Sequence, residues 1–143
     1  MKKALIFQGG WDGHEPQLTS RRFARLLAEE GYETEITDSL DTLDDLEKLM
    51  GLDLIVACWT MGEIDHKYVE NISKAVAGGV GLAGCHGGMC DSFRQDTEWQ
   101  FMTGGGAGGF PRVQRALLSA YRPFDRGAGD DALPAGALLP YFQ

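Results

Sequence analysis

The sequence predicts a doubly wound α/β sandwich on a parallel sheet, and three observations carry that prediction. Short apolar runs alternate with segments of helical period from the amino terminus to about residue 105. The third of these runs is almost wholly apolar and rich in β-branched residues, as expected of a strand covered on both faces. The helical segments close on glycine, a natural helix stop. Strands separated by helices of this length run parallel, because each crossover returns the chain to the same edge of the sheet.

The elements follow in order. "KALIF" (residues 3–7) is a short apolar run before Gly9 and Gly10 and reads as a buried first strand. Residues 17–30 place Leu18, Phe23, Leu26 and Leu27 at helical spacing, and Gly31 ends that helix. "YETEITD" (residues 32–38) alternates like a half-buried strand, and "TLDDLEKLM" (residues 42–50) spaces Leu43, Leu46, Leu49 and Met50 for a helix. "DLIVACW" (residues 53–59) is the expected mid-sheet strand. "HKYVENISKAVAGG" (residues 66–79) follows as a helix with Tyr68, Val69, Ile72 and Val76 on one face, then "GVGLAG" (residues 79–84) as a fourth strand. Residues 91–105 complete the βαβαβαβα pattern as a helix carrying Phe93, Trp99, Phe101 and Met102.

Composition narrows the function classes. A chain of 143 residues holds one ordinary domain with a real core. No apolar stretch approaches the roughly 20 residues of a membrane span, and "MKKALIFQGG" has too short an apolar run for a signal-peptide core. The expectation is a cytoplasmic protein without a membrane partner. A net charge of −8 with no basic cluster argues against nucleic acid. Cys58, Cys85 and Cys90 are an odd number with no repeated close spacing, which predicts reduced thiols rather than disulfides or a zinc knuckle.

In a doubly wound sheet the binding crevice lies outside the carboxyl ends of the strands, which selects residues 8–16, 60–65 and 85–91. The first loop offers Gly10 for close backbone approach, Trp11 as a flat platform, and His14; Trp11 capping the sheet and His14 opening the helix is the structural reading of the same residues. "GGWDGH" misses the GxGxxG register, so no nucleotide fingerprint is present. The second loop follows Trp59 at the end of its strand and offers Glu63, which can hydrogen-bond a polyol or accept a proton, or simply begin a helix where the dipole favours its charge; His66, just inside that helix, reads as a surface residue.

The third loop, "AGCHGG", has the strand–turn–helix shape of a nucleophile elbow, with Cys85 or His86 at the strained position and Gly87 and Gly88 after it. Adjacent residues point in different directions, so Cys85 with His86 is a poor nucleophile–base pair, and His86 alone as acid, base or hydrogen-bond donor is the stronger reading. A plain glycine turn with an inward Cys85 is the structural alternative. Nothing in these residues names a cofactor or a metal.

Four motifs in order, "KALIFQGGWDGHEP", "DLIVACWTMGEI", "GVGLAGCHGGMCDSFR" and "EWQFMTGG", resemble the trehalose-utilisation (ThuA-like) family over about residues 3–105. The resemblance implies a flavodoxin-like three-layer sandwich of the class I glutamine-amidotransferase-like superfamily, in proteins of bacterial sugar and disaccharide use. It implies no cysteine nucleophile as a rule, while His86 and Gly87 match the family motif. His86 and His14 are therefore the expected catalytic residues, and Gly10, Trp11, Trp59, Glu63, Gly87 and Gly88 the expected substrate contacts. The expected partner is a small-molecule carbohydrate.

Past Thr103-Gly104-Gly105 the chain departs from the family's glutamine, apolar stretch and His-Pro-Gly segment. Residues 106–143 lack Lys, Glu, Ile, Thr and His, and the charge changes sign: residues 1–103 carry 9 basic and 18 acidic side chains, residues 104–143 carry 4 and 3. One expectation is an out-of-frame tail. Residues 106–112 can be encoded GGG-GCA-GGT-GGC-TTC-CCA-CGG, and removing the first base gives Gly-Gln-Val-Ala-Ser-His, with glutamine and histidine at the family's spacing. The other is a shortened natural variant in which "VQRALLSAY" (residues 113–121) forms a helix and residues 110–143 pair with the sheet in a new way. Either leaves a domain of residues 1–105 with an atypical tail and without the family's later histidine to complete a metal site with His14 and His86; a sheet missing its last strands also has an open edge that favours self-association into a homo-oligomer.

Three functional readings follow. The first is an enzyme acting on a carbohydrate or its oxidised derivative through His86. The second is a non-catalytic sugar- or partner-binding domain. The third is a Cys85-dependent amidotransferase-like hydrolase.

Overall fold

The computed structural model describes residues 1–104; the tail and its expected helix lie outside the described residues. Four strands, β1 (Lys2–Gly10), β2 (Tyr32–Thr37), β3 (Leu54–Thr60) and β4 (Gly81–Gly84), form one sheet in the order β2-β1-β3-β4, and every pairing is parallel. Five helices accompany them: α1 (Pro16–Glu29), α2 (Leu46–Met50), α3 (His66–Ala77), α4 (Gly87–Cys90) and α5 (Thr97–Thr103). None of the helices among the described residues is long and apolar enough to cross a membrane.

The strand period of two sorts side chains onto two faces. Leu5 and Phe7 of β1 stand beside Ile55 and Ala57 of β3 and pack with Val69, Ile72 and Ala75 of α3. Ile6, Val56 and Cys58 point the other way, against Phe23, Ala24 and Leu27 of α1. Helices thus cover both faces, which makes the three layers of the flavodoxin-like sandwich. β3 lies mid-sheet as its apolar sequence requires, and β4, only half-buried, is the edge among the described residues.

The larger core is closed by aromatic rings. Phe93 and Trp99 meet edge-on at 5.2 Å between centroids, and both pack on Phe7 at 6.4 and 6.2 Å. The Trp99 indole N–H donates to the Met89 carbonyl at 3.0 Å, tying this cluster to α4.

Four local expectations are corrected. β1 runs on through Gly9 and Gly10 because the register continues to Gly10 opposite Thr60. The helix expected over residues 42–50 is a 3₁₀ turn (Leu40–Asp44) followed by the short α2, because the Asp45 side chain accepts from Lys48 N and starts a new helix there. The last helix begins at Thr97, not residue 91: Asp96 caps it by accepting from Trp99 N at 2.9 Å. On α1 the inward face is Pro16, Ser20, Phe23 and Leu27, whereas Leu18 and Leu26 face solvent.

Candidate functional site

In the order β2-β1-β3-β4 the chain leaves β1 toward one side and β3 toward the other, so a crevice opens between the carboxyl ends of β1 and β3. His14 stands there at the end of a 3₁₀ turn (Asp12–His14) after β1. Its Nδ1 lies 2.8 Å from Oγ1 of the buried Thr60, the last residue of β3. This bond fixes the imidazole plane and leaves Nε2 for a ligand.

His86 reaches the same place from β4. Its backbone sits at φ 50°, ψ −140°, at the N-terminus of α4. That is the elbow conformation, held by His86 and not by Cys85, and a non-glycine residue there stores about 1–3 kcal/mol of strain. The rings of His14 and His86 meet at 5.1 Å, and Trp11, half exposed, meets His14 edge-on at 4.8 Å. Met61 and Phe93, at φ 62° and 49°, are also left-handed, so the strained residues cluster at this end of the sheet.

The glycines act by absence of side chain. A Cβ on Gly87 would stand 2.7 Å from His14 Cε1 and 3.2 Å from Thr60 Cγ2. Gly87→Ala therefore pushes His14 off Thr60. The expected result is a stability loss of about 1–2 kcal/mol with a larger loss of ligand affinity, read by thermal melts and titration calorimetry on the same samples.

Some expected residues lie elsewhere. Trp59 packs beneath Gly9 and tilts against Phe93 at 6.4 Å, so its ring serves the core side of the crevice wall; its indole N–H is buried without a hydrogen-bond partner among the described residues. Glu63 lines a separate hollow with His66 and Asp96. Gly88 and Cys85 border a cavity of about 150 Å³ with His14, Cys58 and Thr60. Ligand pockets start at roughly 300 Å³, so this cavity alone is too small to enclose a ligand of that class.

Cys85 is exposed; Cys58 is buried, which pushes its thiol above the usual range, with the nearby Cys85 adding to the effect.

Two residues that sequence reasoning passed over contribute. Thr60 orients His14, a pairing across 46 residues. Asp91 is clamped by Arg94 through two bonds of 2.6 and 2.8 Å, and this hydrogen bonding holds its carboxyl below the usual range; the fields of His14 and His86 act in the same direction. Asp91 thus stays ionised in its pair with Arg94, within electrostatic reach of both histidines, and an aspartate after a Gly-Gly elbow was the only signal of it.

A family model described as trehalose utilisation matches residues 3–129. The chain belongs to the trehalose-utilisation family. The match extends beyond residue 105, where the sequence resemblance ends, and includes every crevice residue named above. No curated protein and no solved structure matches the chain. In this trehalose-utilisation protein the segment "CHGG" is the elbow itself, and "GGWDGH" is the turn that carries His14 to it.

Proposed function

We propose that this trehalose-utilisation protein binds a disaccharide such as trehalose, or a keto derivative of one, across the carboxyl ends of β1, β3 and β4, with His86 as the acid–base group and His14 beside it. The observation that carries the reading is the convergence of His86, on a strained elbow, with His14, anchored on Thr60, at 5.1 Å between rings. Imidazoles titrate near neutral pH and exchange protons with hydroxyl or carbonyl oxygens. Trp11, 50% exposed, offers an apolar face for a sugar ring, and Gly10, Gly87 and Gly88 carry no side chain to keep a ligand from the backbone, although the Gly88 N–H already donates to the Cys85 carbonyl at 3.1 Å.

A second reading has its own support. The His86 ring makes no hydrogen bond among the described residues, which suits a domain that binds sugar without turning it over. The Cys85 hydrolase reading has only the exposure of the thiol and the cavity it shares with His14.

Turnover and binding of disaccharides and their keto derivatives separate the three. The expected result is turnover that falls about 10²–10⁴-fold in His86→Ala and is unchanged in Cys85→Ser. Binding without turnover in the unaltered protein assigns the second reading, and loss of turnover in Cys85→Ser assigns the third.

A further inference from the structure

Away from the histidine pair, the start of α3 faces the start of α5. His66 opens α3 and Glu70 follows one turn later on the same face, while α5 contributes its cap Asp96 and, in its first turn, Glu98. His66 Nδ1 lies 2.7 Å from Asp96 Oδ2. An ionised carboxylate only accepts, so Nδ1 carries the hydrogen, and Nε2 is the ring nitrogen that faces outward and gives up its proton when it ligates an ion.

Asp96 is itself fixed. Its side chain is 8% exposed, and its other oxygen accepts from Trp99 N at 2.9 Å. A buried carboxylate that orients an imidazole through Nδ1 is the outer-shell arrangement of metal-binding histidines, and it distinguishes this group from a chance gathering of surface acids.

The outward Nε2 stands 3.9 Å from Glu70 Oε1 and 3.6 Å from Glu98 Oε2, and the three atoms all lie within 4.8 Å of one another. Ligands at 2.0–2.1 Å on a tetrahedral ion are roughly 3.3–3.4 Å apart. Side-chain adjustments of about 1 Å close the three atoms on one ion. The charged groups acting on His66, namely Asp96, Glu70 and Glu98, are all acidic, so the field at Nε2 favours a cation. The imidazole is 59% exposed, which leaves room for a water ligand and an entry path.

We propose that His66, Glu70 and Glu98 form a binding site for one divalent transition ion of the zinc class, with Asp96 orienting His66 and water completing the tetrahedron. The site is independent of the sugar-binding reading, because it uses none of the crevice residues.

The test is calorimetric titration of the full chain with Zn²⁺ at neutral pH, with Co²⁺ absorption reporting tetrahedral coordination. The expected result is one ion per chain at micromolar affinity or tighter. Glu70→Gln, a half-exposed position whose substitution leaves the core untouched, weakens it about tenfold or more; His66→Ala abolishes it; His14→Ala leaves it unchanged. Saturation only at millimolar Zn²⁺, equal affinity in Glu70→Gln and the unaltered protein, or loss of binding in His14→Ala overturns the proposal. Circular dichroism on each variant confirms that the comparison is between folded chains.

Discussion

Trp99→Ala is expected to cost about 3–5 kcal/mol, the range for emptying a large aromatic from a packed core. Trp99 is 1% exposed, stacks edge-on with Phe93 and Phe7, and donates its indole N–H to the Met89 carbonyl. Removing it opens a cavity under α5 and also leaves the Met89 carbonyl without this donor. Because Met89 belongs to α4, whose first turn follows His86, the loss reaches the elbow. Trp99→Phe separates the two contributions: it keeps most of the packing and loses the hydrogen bond, for an expected cost of about 1–3 kcal/mol. Urea melts of both variants give the comparison. If Trp99→Phe costs as much as Trp99→Ala, the tie to α4 dominates; if it costs nothing, that tie is unimportant.

The second large effect is expected at Gly10. The residue sits at φ 76°, and a Cβ there would overlap the Thr60 carbonyl oxygen. That carbonyl accepts from Trp11 N at 3.0 Å, and the register pairs Gly10 with Thr60. Alanine must therefore adopt a left-handed backbone and force the tips of β1 and β3 apart. The expected cost is about 2–4 kcal/mol, with loss of the His14–Thr60 hydrogen bond, visible as a changed His14 ring environment in NMR. Gly31→Ala is the control: it has a similar φ of 81°, but its added Cβ meets nothing within 4 Å. It carries the backbone strain without the overlap, so a cost equal to that of Gly10→Ala would assign the whole effect to backbone conformation.

The layers were legible in the sequence because apolar period is a local property. "DLIVACW" reads as a central strand without reference to anything outside it, and Gly31 and Gly79, both at positive φ, mark helix ends from their own conformational freedom. The misplaced boundaries depended on side chains acting on the backbone. Asp45 and Asp96 each accept from an amide three residues on, and an aspartate in sequence does not announce whether it caps a helix or continues one. The outward turn of Leu18 and Leu26 was equally hidden, since several phases fit a leucine-rich helix and Phe23 and Leu27 choose among them only by meeting Ile6, Val56 and Cys58.

The candidate site divides the same way. His14, His86 and Gly87 could be picked from loops that the fold places at one end of the sheet. Thr60 as the anchor of His14, and Asp96 as the anchor of His66, required contacts across 46 and 30 residues. His66, read as a surface histidine, is indeed well exposed, yet the hydrogen bond to Asp96 and the surrounding carboxylates hold its pKa above the ordinary histidine value.

Hydrogen exchange with and without a panel of disaccharides and their keto derivatives tests the central claim, that the crevice of His14 and His86 is a sugar site, most directly. The account predicts slow exchange through residues 54–57 and 82–84 in the free protein, with ligand-dependent protection confined to residues 11–14 and 86–88. Slow exchange in the sheet with no protection at either loop under saturating sugar would contradict it.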